Sequence, residues 1–412
     1  MDELQVKRKA YLIFLVYSVS SSAFMTLVFT VNMIYFVIIA GLNPLQMVLV
    51  GTTLELSIFI FEIPTGVVAD TVSRKLSVII GVFLIGAGFL LQAIAPVFPM
   101  ILLAQVLWGI GYTFTSGALQ AWITDEIGEE NAAAAFLKAT QVEQVGALFA
   151  IGISVLTATR WNMQVPMLLG GLLFFVLGIF LIIFMKEHNF ARTDNSQTSN
   201  WKSLISTLRS GINMLKIRPL LIRILLVGFF FGLYSEGLDR LWVPHLIERF
   251  DLPDQGQAVM IGWIGGLNAV SMLVTFFVAR KVHQYFENNS STNQITRFLK
   301  LFSILLVFCV AFFAIAKYIW ISFALLVMIA ALRALIYPLY TAWVNQRLNS
   351  DSRATIISMS SLVDAFGQIG GGPVVGLFAQ NVSIQTGLLL SAVLLSPVVG
   401  LLFLNKQNDL EG

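Results

Sequence analysis

The sequence predicts an all-α polytopic membrane protein with twelve transmembrane helices in two pseudo-symmetric six-helix halves. Hydrophobic residues make up 57% of the chain and charged residues only 11%, whereas soluble domains carry about 25% charged residues. The apolar residues fall into twelve blocks, each close to the roughly 20 residues that a helix needs to span a bilayer. Helices are required because lipid offers no hydrogen-bond partner to open backbone groups.

The twelve blocks predict spans that start near residues 10, 45, 76, 98, 132, 163, 218, 256, 297, 319, 353 and 383. No small-residue cleavage site precedes the first block, so we expect it to be retained as a span. If the N-terminus is cytoplasmic, most Lys and Arg residues lie on the cytoplasmic side; the exceptions are Arg160, Arg249 and Lys317 outside, and Arg240 and Arg333 within spans. The positive-inside rule therefore predicts that both termini are cytoplasmic.

A polar stretch at residues 187–216 separates an N-terminal half, residues 1–186, from a C-terminal half, residues 217–412. It begins as a flexible linker and continues as "WKSLISTLRSGINMLK", where apolar side chains from Trp201 to Leu215 recur on one helical face. This pattern predicts an amphipathic helix on the inner membrane surface. The alternative is a simple extension of the linker.

The two halves share a pattern that indicates internal repetition. The fourth and tenth spans end in "QAWITDEIG" and "TAWVNQRLN", and the same offset that aligns their Trp residues also aligns Glu143 with Asp364 and Gly146 with Gly367. Three matches at one offset indicate duplicated halves. Duplicated six-helix halves with a binding site at their interface are typical of secondary transporters.

The loop after the second span reads "GVVADTVSRK". With Gly66, Asp70 and Arg74 in place, it resembles the signature loop between helices two and three of the major facilitator superfamily, although Thr71 and Ser73 depart from that pattern. "EIPTGVVAD" and "EGLDRLWVPHL" look like the proton-coupled drug exporters of the macrolide and tetracycline efflux group. Together with the two-half layout, the resemblance covers nearly the whole chain and implies the major facilitator fold.

The resemblance implies a secondary active transporter in the cytoplasmic membrane of a bacterium, namely a proton-coupled antiporter that exports lipophilic drugs by alternating access. It also implies a cytoplasmic latch formed by Gly66, Asp70, Arg74 and Asp125. In this latch Asp70 would cap the eleventh helix, since a carboxylate stabilises a helix N-terminus, and Arg74 would pair with Asp125 at the end of the fourth helix. The alternative for the basic residues is ordinary positive-inside anchoring.

Two patterns expected from the resemblance are altered. The fourth helix carries Gln105, followed by Trp108 and Gly109, where drug exporters often have an intramembrane arginine. The glycine-rich pattern expected on the fifth helix is reduced there, and the richer "GQIGGGPVVG" lies on the eleventh. Small residues allow helices to approach closely, so this segment predicts an interface between moving helices.

Ionisable residues within the spans are the candidates for proton coupling or substrate binding: Glu55, Glu62, Glu143, Glu236, Asp239, Asp364, Arg240 and Arg333. An unpaired charge at the bilayer centre costs about 2.5–3.5 kcal/mol even on the lenient scale, so six isolated carboxylates would cost on the order of 15 kcal/mol. We therefore expect some acids to pair with arginine, some to face water and some to hold a proton. A carboxyl group that exchanges a proton near neutral pH is what a proton-coupled transporter requires.

The candidates differ in their sequence context. Glu62 lies on one helical face with Glu55 and next to Pro64, which can loosen the helix. Asp239 shares a face with Glu236 and can pair with Arg333; a structural ion pair is the alternative to a functional role. The repeat mates Glu143 and Asp364 have either a structural role between the halves or a role in coupling.

Aromatic residues on the first, fourth, seventh and tenth helices, which line the central cavity in the family, are candidates for substrate contacts: Tyr35, Tyr112, Tyr234, Trp242, Tyr337 and Tyr340. Flat rings together with an acid suit large lipophilic cations or zwitterions. The alternative is that these rings pack in the core or face lipid.

The chain lacks a phosphate-binding Gly-x-x-x-x-Gly-Lys-Ser/Thr loop, hydrolase motifs and Cys/His spacings suited to a metal. We therefore expect a non-enzymatic monomer without cofactor or metal, whose partners are a lipophilic small molecule, protons and the lipid bilayer, and not nucleic acid. Two alternatives stay open. One is a carrier of an endogenous solute or lipid, such as a siderophore, sugar or lysolipid, and the other is a non-transporting membrane sensor.

Overall fold

The computed structural model describes residues 3–190, 219–252, 256–288, 292–345 and 350–404. Apolar blocks dominate these ranges, and their backbone groups are paired within helices, as membrane burial requires. Within the described ranges the helices are α1 (Glu3–Ile38), α2 (Pro44–Thr71), α3 (Arg74–Ile94), α4 (Phe98–Thr115), α5 (Ala118–Ile127), α6 (Glu129–Arg160), α7 (Gln164–Phe184), α8 (Pro219–Arg249), α9 (Gln257–Asn288), α10 (Thr292–Ile315), α11 (Ile319–Asn345), α12 (Ser350–Asn381), α13 (Ile384–Leu395) and α14 (Pro397–Phe403).

The part of the chain that the structure describes contains 12 segments long and apolar enough to cross a membrane. The predicted fold class is therefore confirmed. The fourth span consists of α4 and α5, and the twelfth consists of α13 and α14. The predicted surface helix at residues 201–216 lies outside the described residues.

Two spans are interrupted for identifiable reasons. Between α4 and α5, Gly117 adopts a φ of 71°, a left-handed conformation that glycine tolerates because it has no Cβ. Between α13 and α14, Pro397 begins a new helix, because a proline has no N–H to continue the preceding one. The break at Gly117 makes α5 a separate helix, and α5 carries Trp122, Asp125 and Glu126.

The described residues form two compact units. Unit 1 comprises residues 3–42, 53–190 and 257–265, and unit 2 comprises residues 43–52, 219–252, 256 and the described residues from 266 onward. Each unit contains most of one predicted half. The first part of α2 nevertheless belongs to unit 2, and the first part of α9 belongs to unit 1.

Unit 1 is built around α1 and α3. Helix α1 packs along α6 and α7, and α3 packs along α4 and α7. Their core contains an aromatic cluster in which Trp108 lies 5.0 Å from the ring of Phe29 and 5.8 Å from Phe89, while Phe89 lies 5.7 Å from Phe174. Such ring pairs add to the burial of apolar surface, so they fix the relative positions of these helices.

The repeated segment of unit 1, which contains Glu143 and Gly146, lies at the contact between α1 and α6. Ser22 Oγ donates a hydrogen bond of 3.0 Å to the carbonyl oxygen of Glu143. A Cβ at Gly146 would lie 2.9 Å from the carbonyl oxygen of Val19. The glycine therefore allows the two backbones to approach closely next to the acid.

The matching segment of unit 2, which contains Asp364 and Gly367, lies at the corresponding contact between α8 and α12. A Cβ at Gly232 would lie 2.8 Å from the backbone carbonyl carbon of Asp364, and one at Gly367 would lie 2.8 Å from the backbone nitrogen of Leu233. In both units, an acid followed three residues later by glycine lies where the first and fifth helices of a half pack together. This shared geometry explains why these residues match at one offset in the sequence.

We expect Gly371→Ala to destabilise unit 2, whereas Gly370→Ala should not. An added Cβ at Gly371 would lie 2.8 Å from the Cα of Leu233 on α8, while one at Gly370 meets nothing within 4 Å. Overpacking of this kind costs about 1–3 kcal/mol, and alanine at an open helical site is neutral or favourable. Thermal unfolding of the two purified variants measures the difference. Equal midpoints for both variants would contradict the close approach of α8 and α12.

Candidate functional site

A cavity of about 390 Å³ lies within unit 2, between α8, α10, α11 and α12. Its size is within the range of small-molecule sites, roughly 300–1,000 Å³. Its walls combine aromatic rings with a few polar side chains. The lining residues are Gly228, Phe231, Tyr234, Ser235, Leu306, Arg333, Ile336, Tyr337, Tyr340, Thr341, Val344, Ser360, Ser361, Asp364 and Gln368.

One side of the cavity is held by Tyr340. Its hydroxyl lies 2.8 Å from the carbonyl oxygen of Ile224, to which it donates, and 2.7 Å from Ser360 Oγ. Its ring packs edge-on against Phe231, with centroids 6.1 Å apart. Because the hydroxyl and the ring are both engaged, Tyr340 shapes the wall and joins α8, α11 and α12.

Asp364 supplies the carboxylate of the cavity. It lies on α12, and Gln368 Nε2, one turn further along the helix, donates a hydrogen bond of 2.8 Å to Asp364 Oδ2. Among the described residues, Gln368 is its hydrogen-bond partner and no arginine or lysine forms an ion pair with it. A carboxylate in this position can accept either a proton or a cationic ligand.

Arg333 supplies the positive charge of the cavity, and Asp239 neutralises it. Arg333 Nη1 pairs with Asp239 Oδ1, and Nη2 lies 2.8 Å from Oδ2, so the pairing is bidentate. The guanidinium also lies 5.9 Å from the ring centroid of Tyr234. This pair is the one predicted from the sequence. With Arg333 offset by Asp239, an ionised Asp364 gives the cavity a net negative charge.

Glu236 and Arg240 form a second ion pair in unit 2, buried beside α2. Arg240 Nε donates a 2.7 Å hydrogen bond to Glu236 Oε1, and the two side chains are 12% and 4% exposed, respectively. A Cβ at Gly372 would lie 3.0 Å from Glu236 Cγ, and one at Gly51 would overlap the ion pair itself. The pair is therefore enclosed between glycines of α2 and α12, away from the residues that line the cavity.

The three acids on α2 and α6 are placed differently from Asp364. Glu62 is exposed, and within the described residues its carboxylate has no hydrogen-bond partner, although its backbone carbonyl accepts a bond from Thr65 Oγ1. Glu55 is half-buried. Glu143 is half-buried, and its carboxylate interacts with Ser18 on α1. None of these three residues is among those that line the described cavities. Their proposed roles in coupling therefore stay predictions.

The six aromatic candidates separate into two groups. Tyr234, Tyr337 and Tyr340 line the cavity together. Tyr35 lies instead in the core of unit 1, where it is fully buried and its hydroxyl donates a 2.6 Å hydrogen bond to the carbonyl oxygen of Gln92. Tyr112, which is exposed on α4, and Trp242, which is half-buried on α8, are also not among the lining residues of the described cavities.

The position where the resemblance leads us to expect an arginine is neutral and hydrogen-bonded. Gln105 Nε2 donates a 3.1 Å hydrogen bond to Gln92 Oε1, and Gln92 Nε2 donates a 2.9 Å bond to Asn32 Oδ1. All three amides are buried. This chain of amides replaces a charge in the core of unit 1 with a network that needs no counter-ion.

The loop between α2 and α3 makes the ion pair predicted for it. Arg74 pairs with Asp125 on α5, and Arg74 Nη1 also donates a 3.0 Å hydrogen bond to the carbonyl oxygen of Ala121. A Cβ at Gly66 would meet nothing within 4 Å, and Asp70 is half-buried. The proposed contact of Asp70 with the eleventh helix stays a prediction.

Two glutamates that the sequence analysis missed complete this loop. Glu187 accepts hydrogen bonds of 2.6 Å from Ser73 Oγ and 2.8 Å from the backbone N–H of Arg74, so it caps α3. Glu126 accepts bonds of 2.6 Å and 3.1 Å from the backbone N–H groups of His188 and Asn189. The sequence signal for Glu187 was its position directly after the sixth span, but the sequence analysis assigned this residue to the linker.

Glu187→Ala is expected to destabilise unit 1 because it removes the acceptor for Ser73 and for the first turn of α3. A hydrogen bond to a charged group contributes about 1.5–3 kcal/mol, so the thermal unfolding midpoint should fall. Glu129→Ala is the matched control, since Glu129 is an exposed acid on the neighbouring helix α6. If both variants unfold at the same temperature, Glu187 does not hold the end of α3.

Comparisons with known proteins agree on the superfamily and the fold. The model of the Major Facilitator Superfamily matches residues 13–372. An uncharacterised MFS-type transporter, YxaM from Bacillus subtilis strain 168, is 23% identical over 393 residues that cover 93% of each chain. The solved structure of the nucleoside transporter NupG has a TM-score of 0.73 at 16% identity, covering 96% of this chain and 100% of that one.

A further structural relative is a bacterial homologue of the human lysosomal transporter Spinster, solved in an inward-facing and unoccupied conformation. It has a TM-score of 0.73 at 14% identity and covers 97% of this chain and 96% of its own. At such low identity these structures show a shared fold and not a shared substrate.

Proposed function

The chain belongs to the Major Facilitator Superfamily and is a multi-pass membrane transporter of that type rather than a catalytic enzyme, and we propose that it is a proton-coupled antiporter that exports lipophilic cationic compounds. The proposal assigns substrate binding to the cavity of unit 2. It assigns proton coupling to Asp364, and alternating access to the two predicted halves, residues 1–186 and 217–412.

The observation that carries the proposal is the charge balance of the cavity. Asp364 lines it without an ion-pair partner among the described residues, whereas Arg333 is offset by Asp239. A proton and a cationic substrate therefore compete for the same carboxylate. Competition for one carboxylate gives exchange when the carrier changes conformation only with one of the two ligands bound, because each ligand then crosses in a separate half-cycle.

The aromatic walls support the lipophilic part of the proposal. Tyr234, Tyr337 and Phe231 line the same cavity as Asp364 and give it flat apolar surface. A cation held near aromatic rings gains roughly 0.5–2 kcal/mol per contact. An apolar cation therefore satisfies both the rings and Asp364, whereas an apolar anion would meet the carboxylate.

The remaining parts of the proposal concern location and the other acids. The charge bias of the loops and the bacterial origin of YxaM support a bacterial cytoplasmic membrane with both termini inside. We assign Gly66, Asp70, Arg74 and Asp125 to the cytoplasmic latch. Beside Asp364, the acids Glu55, Glu62 and Glu143 are further candidates for protonation.

Transport by purified protein in liposomes tests the proposal. Tetraphenylphosphonium, a lipophilic cation, serves as the probe, and a pH gradient of either sign is imposed across the membrane. Movement of the probe opposite to the imposed proton flow, faster than its passive movement in protein-free liposomes, is the expected result. A rate no faster than in protein-free liposomes, under conditions where a known drug exporter functions, would overturn the proposal.

A second candidate function is the carriage of a polar endogenous solute. It is favoured by the hydroxyl and amide groups of Ser360, Ser361 and Gln368 in the cavity, and the fold is shared with a nucleoside transporter. Competition separates the two candidates. Nucleosides, sugars and other lipophilic cations are each tested for displacement of bound tetraphenylphosphonium. If a nucleoside or sugar displaces it at a lower concentration than the lipophilic cations need, the polar-solute carrier is favoured.

A further inference from the structure

Hydroxyl groups that line the cavity of unit 2 present acceptors to a ligand, because the protein takes up their protons. Ser235 Oγ donates a 2.9 Å hydrogen bond to the carbonyl oxygen of Gly232. Thr341 Oγ1 donates one of 3.0 Å to the carbonyl oxygen of Tyr337. A hydroxyl has one proton and two lone pairs. An oxygen whose proton is used in this way accepts from a ligand and does not donate to it.

The hydrogen bond between Tyr340 and Ser360 has a direction that its surroundings determine. The hydroxyl oxygen of Tyr340 lies 2.8 Å from the carbonyl oxygen of Ile224 and 2.7 Å from Ser360 Oγ. A carbonyl oxygen only accepts, so the single proton of Tyr340 is directed to Ile224. The proton between the two hydroxyls therefore comes from Ser360, and Ser360 Oγ keeps its lone pairs as acceptors.

The oxygen of Ser360 borders space that a ligand can enter. A Cβ at Gly228, which also lines the cavity, would lie 3.1 Å from Ser360 Oγ and 3.1 Å from the hydroxyl oxygen of Tyr340. A larger residue at position 228 would fill this space. The glycine therefore keeps the lone pairs of Ser360 within reach of a ligand.

Asp364 lies one helical turn from Ser360, on the same face of α12. Both residues line the cavity, and side chains four residues apart in a helix have Cβ atoms about 5–6 Å apart. Gln368 Nε2 donates one hydrogen bond to Asp364 Oδ2, and a carboxylate can accept several. The carboxylate and the serine oxygen are thus two neighbouring acceptors, spaced so that one small group with two donors can bridge them.

We propose that the substrates are protonated primary and secondary amines with apolar groups, which donate one ammonium N–H to Asp364 and another to Ser360. The inference rests on the proposed function and narrows its substrate class from lipophilic cations in general to those with at least two N–H donors. The order of donors and acceptors in the cavity supports this choice, since a ligand that brings donors meets acceptors on the wall of α12.

The number of N–H groups separates this contact from the contribution of the aromatic rings. A primary ammonium has three N–H groups and a secondary one has two, so both can satisfy two acceptors, whereas a tertiary ammonium has one and a quaternary ammonium has none. The rings of Tyr234 and Tyr337 also attract a quaternary cation. Loss of affinity on methylation of the nitrogen therefore reports on Asp364 and Ser360 rather than on the rings.

Isothermal titration calorimetry of the full-length purified protein tests the inference. The ligands are 2-phenylethylammonium and its N-methyl, N,N-dimethyl and N,N,N-trimethyl derivatives, at a pH where each is a cation, with tetraphenylphosphonium measured in the same buffer. The first two should bind alike, and the dimethyl compound should bind about tenfold more weakly, as expected for one lost charge-assisted hydrogen bond. The trimethyl compound should lose a further factor of about ten, because no donor remains for Asp364.

Ser360→Ala removes one of the two acceptors, so a single N–H is then sufficient. The loss between the monomethyl and dimethyl compounds should disappear in this variant, while the loss with the trimethyl compound remains. Ser303→Ala is the matched control and should keep both losses. Ser303 is a buried serine of α10 that does not line the cavity, and its hydroxyl donates a 2.8 Å hydrogen bond to the carbonyl oxygen of Leu299. Thermal unfolding checks that both variants are folded, and the wild-type series stands on its own if one is not.

The results that contradict the inference differ from those that contradict the proposed function. If tetraphenylphosphonium binds but the four amines bind wild type equally, or more tightly with each methyl group, the substrate class is wrong and the proposed function stands. A loss at the dimethyl compound that persists in folded Ser360→Ala overturns the contact with Ser360. If neither tetraphenylphosphonium nor any amine binds, the proposed function and the inference fail together.

Discussion

Asp364→Asn is expected to abolish proton-driven movement of tetraphenylphosphonium in liposomes and to reduce its binding about 10- to 100-fold. The variant keeps the size of the side chain and a group that can bond Gln368, but it removes the charge that attracts a cation and the site that accepts a proton. A charge-assisted hydrogen bond contributes about 1.5–3 kcal/mol, which corresponds to that range of affinity. Uptake driven by an imposed pH gradient measures the first effect, and equilibrium binding to purified protein measures the second.

Two controls make this result specific. Asp364→Glu retains a carboxylate and should retain coupling at an altered rate, while the thermal stability of both variants reports whether the fold is intact. Glu62→Gln is measured in the same assay, because Glu62 is an exposed acid of α2 outside the cavity. If Asp364→Asn exports normally while Glu62→Gln does not, the proton is carried by Glu62 and the role of Asp364 is refuted.

Arg240→Gln is expected to cause the largest loss of stability, about 3–5 kcal/mol, because it leaves the buried carboxylate of Glu236 without its cation. Glu236 is 3% exposed, and Arg240 is the hydrogen-bond donor that the structure shows for it among the described residues. The cavity residues are not part of this contact. Thermal and denaturant unfolding of the purified variant measure the loss.

The double variant Glu236→Gln/Arg240→Gln tests the cause of that loss. Removing both charges leaves no uncompensated ion, so most of the stability should return. Gly51 lies against both side chains of the pair and Gly372 lies against Glu236, and a neutral pair of similar size fits the same space. A double variant no more stable than Arg240→Gln would indicate that the loss arises from packing of the arginine rather than from the unpaired charge.

Much of the fold was predictable because lipid imposes simple rules on a chain. Continuous apolar blocks and the side preference of Lys and Arg were enough to predict twelve spans, and TM-capable segments occur where they were expected. Complementary charges within the spans predicted the contact of Asp239 with Arg333, and the family resemblance implied the contact of Arg74 with Asp125; the structure contains both. Opposite charges within lipid have few alternatives to pairing, so such pairs are unusually informative.

The composition of the site was less predictable, because helical spacing shows which residues share a face but not which helix that face meets. Tyr35 and Tyr340 look alike in sequence, yet one is buried against the backbone of α3 and the other lines a cavity. The start of α5 depends on one positive φ at Gly117, which hydropathy does not register. Glu187 was assigned to a linker because its partner, the α3 cap, is distant in sequence.

Proton release on ligand binding tests the central claim most directly. Tetraphenylphosphonium is added to the purified protein in weakly buffered detergent solution, and a pH-sensitive dye records the protons released across a range of starting pH. If a cation and a proton compete for Asp364, the wild type should release up to about one proton per bound cation, and Asp364→Asn should release none. Cation binding without proton release from the wild type, or equal release from both proteins, would contradict the account.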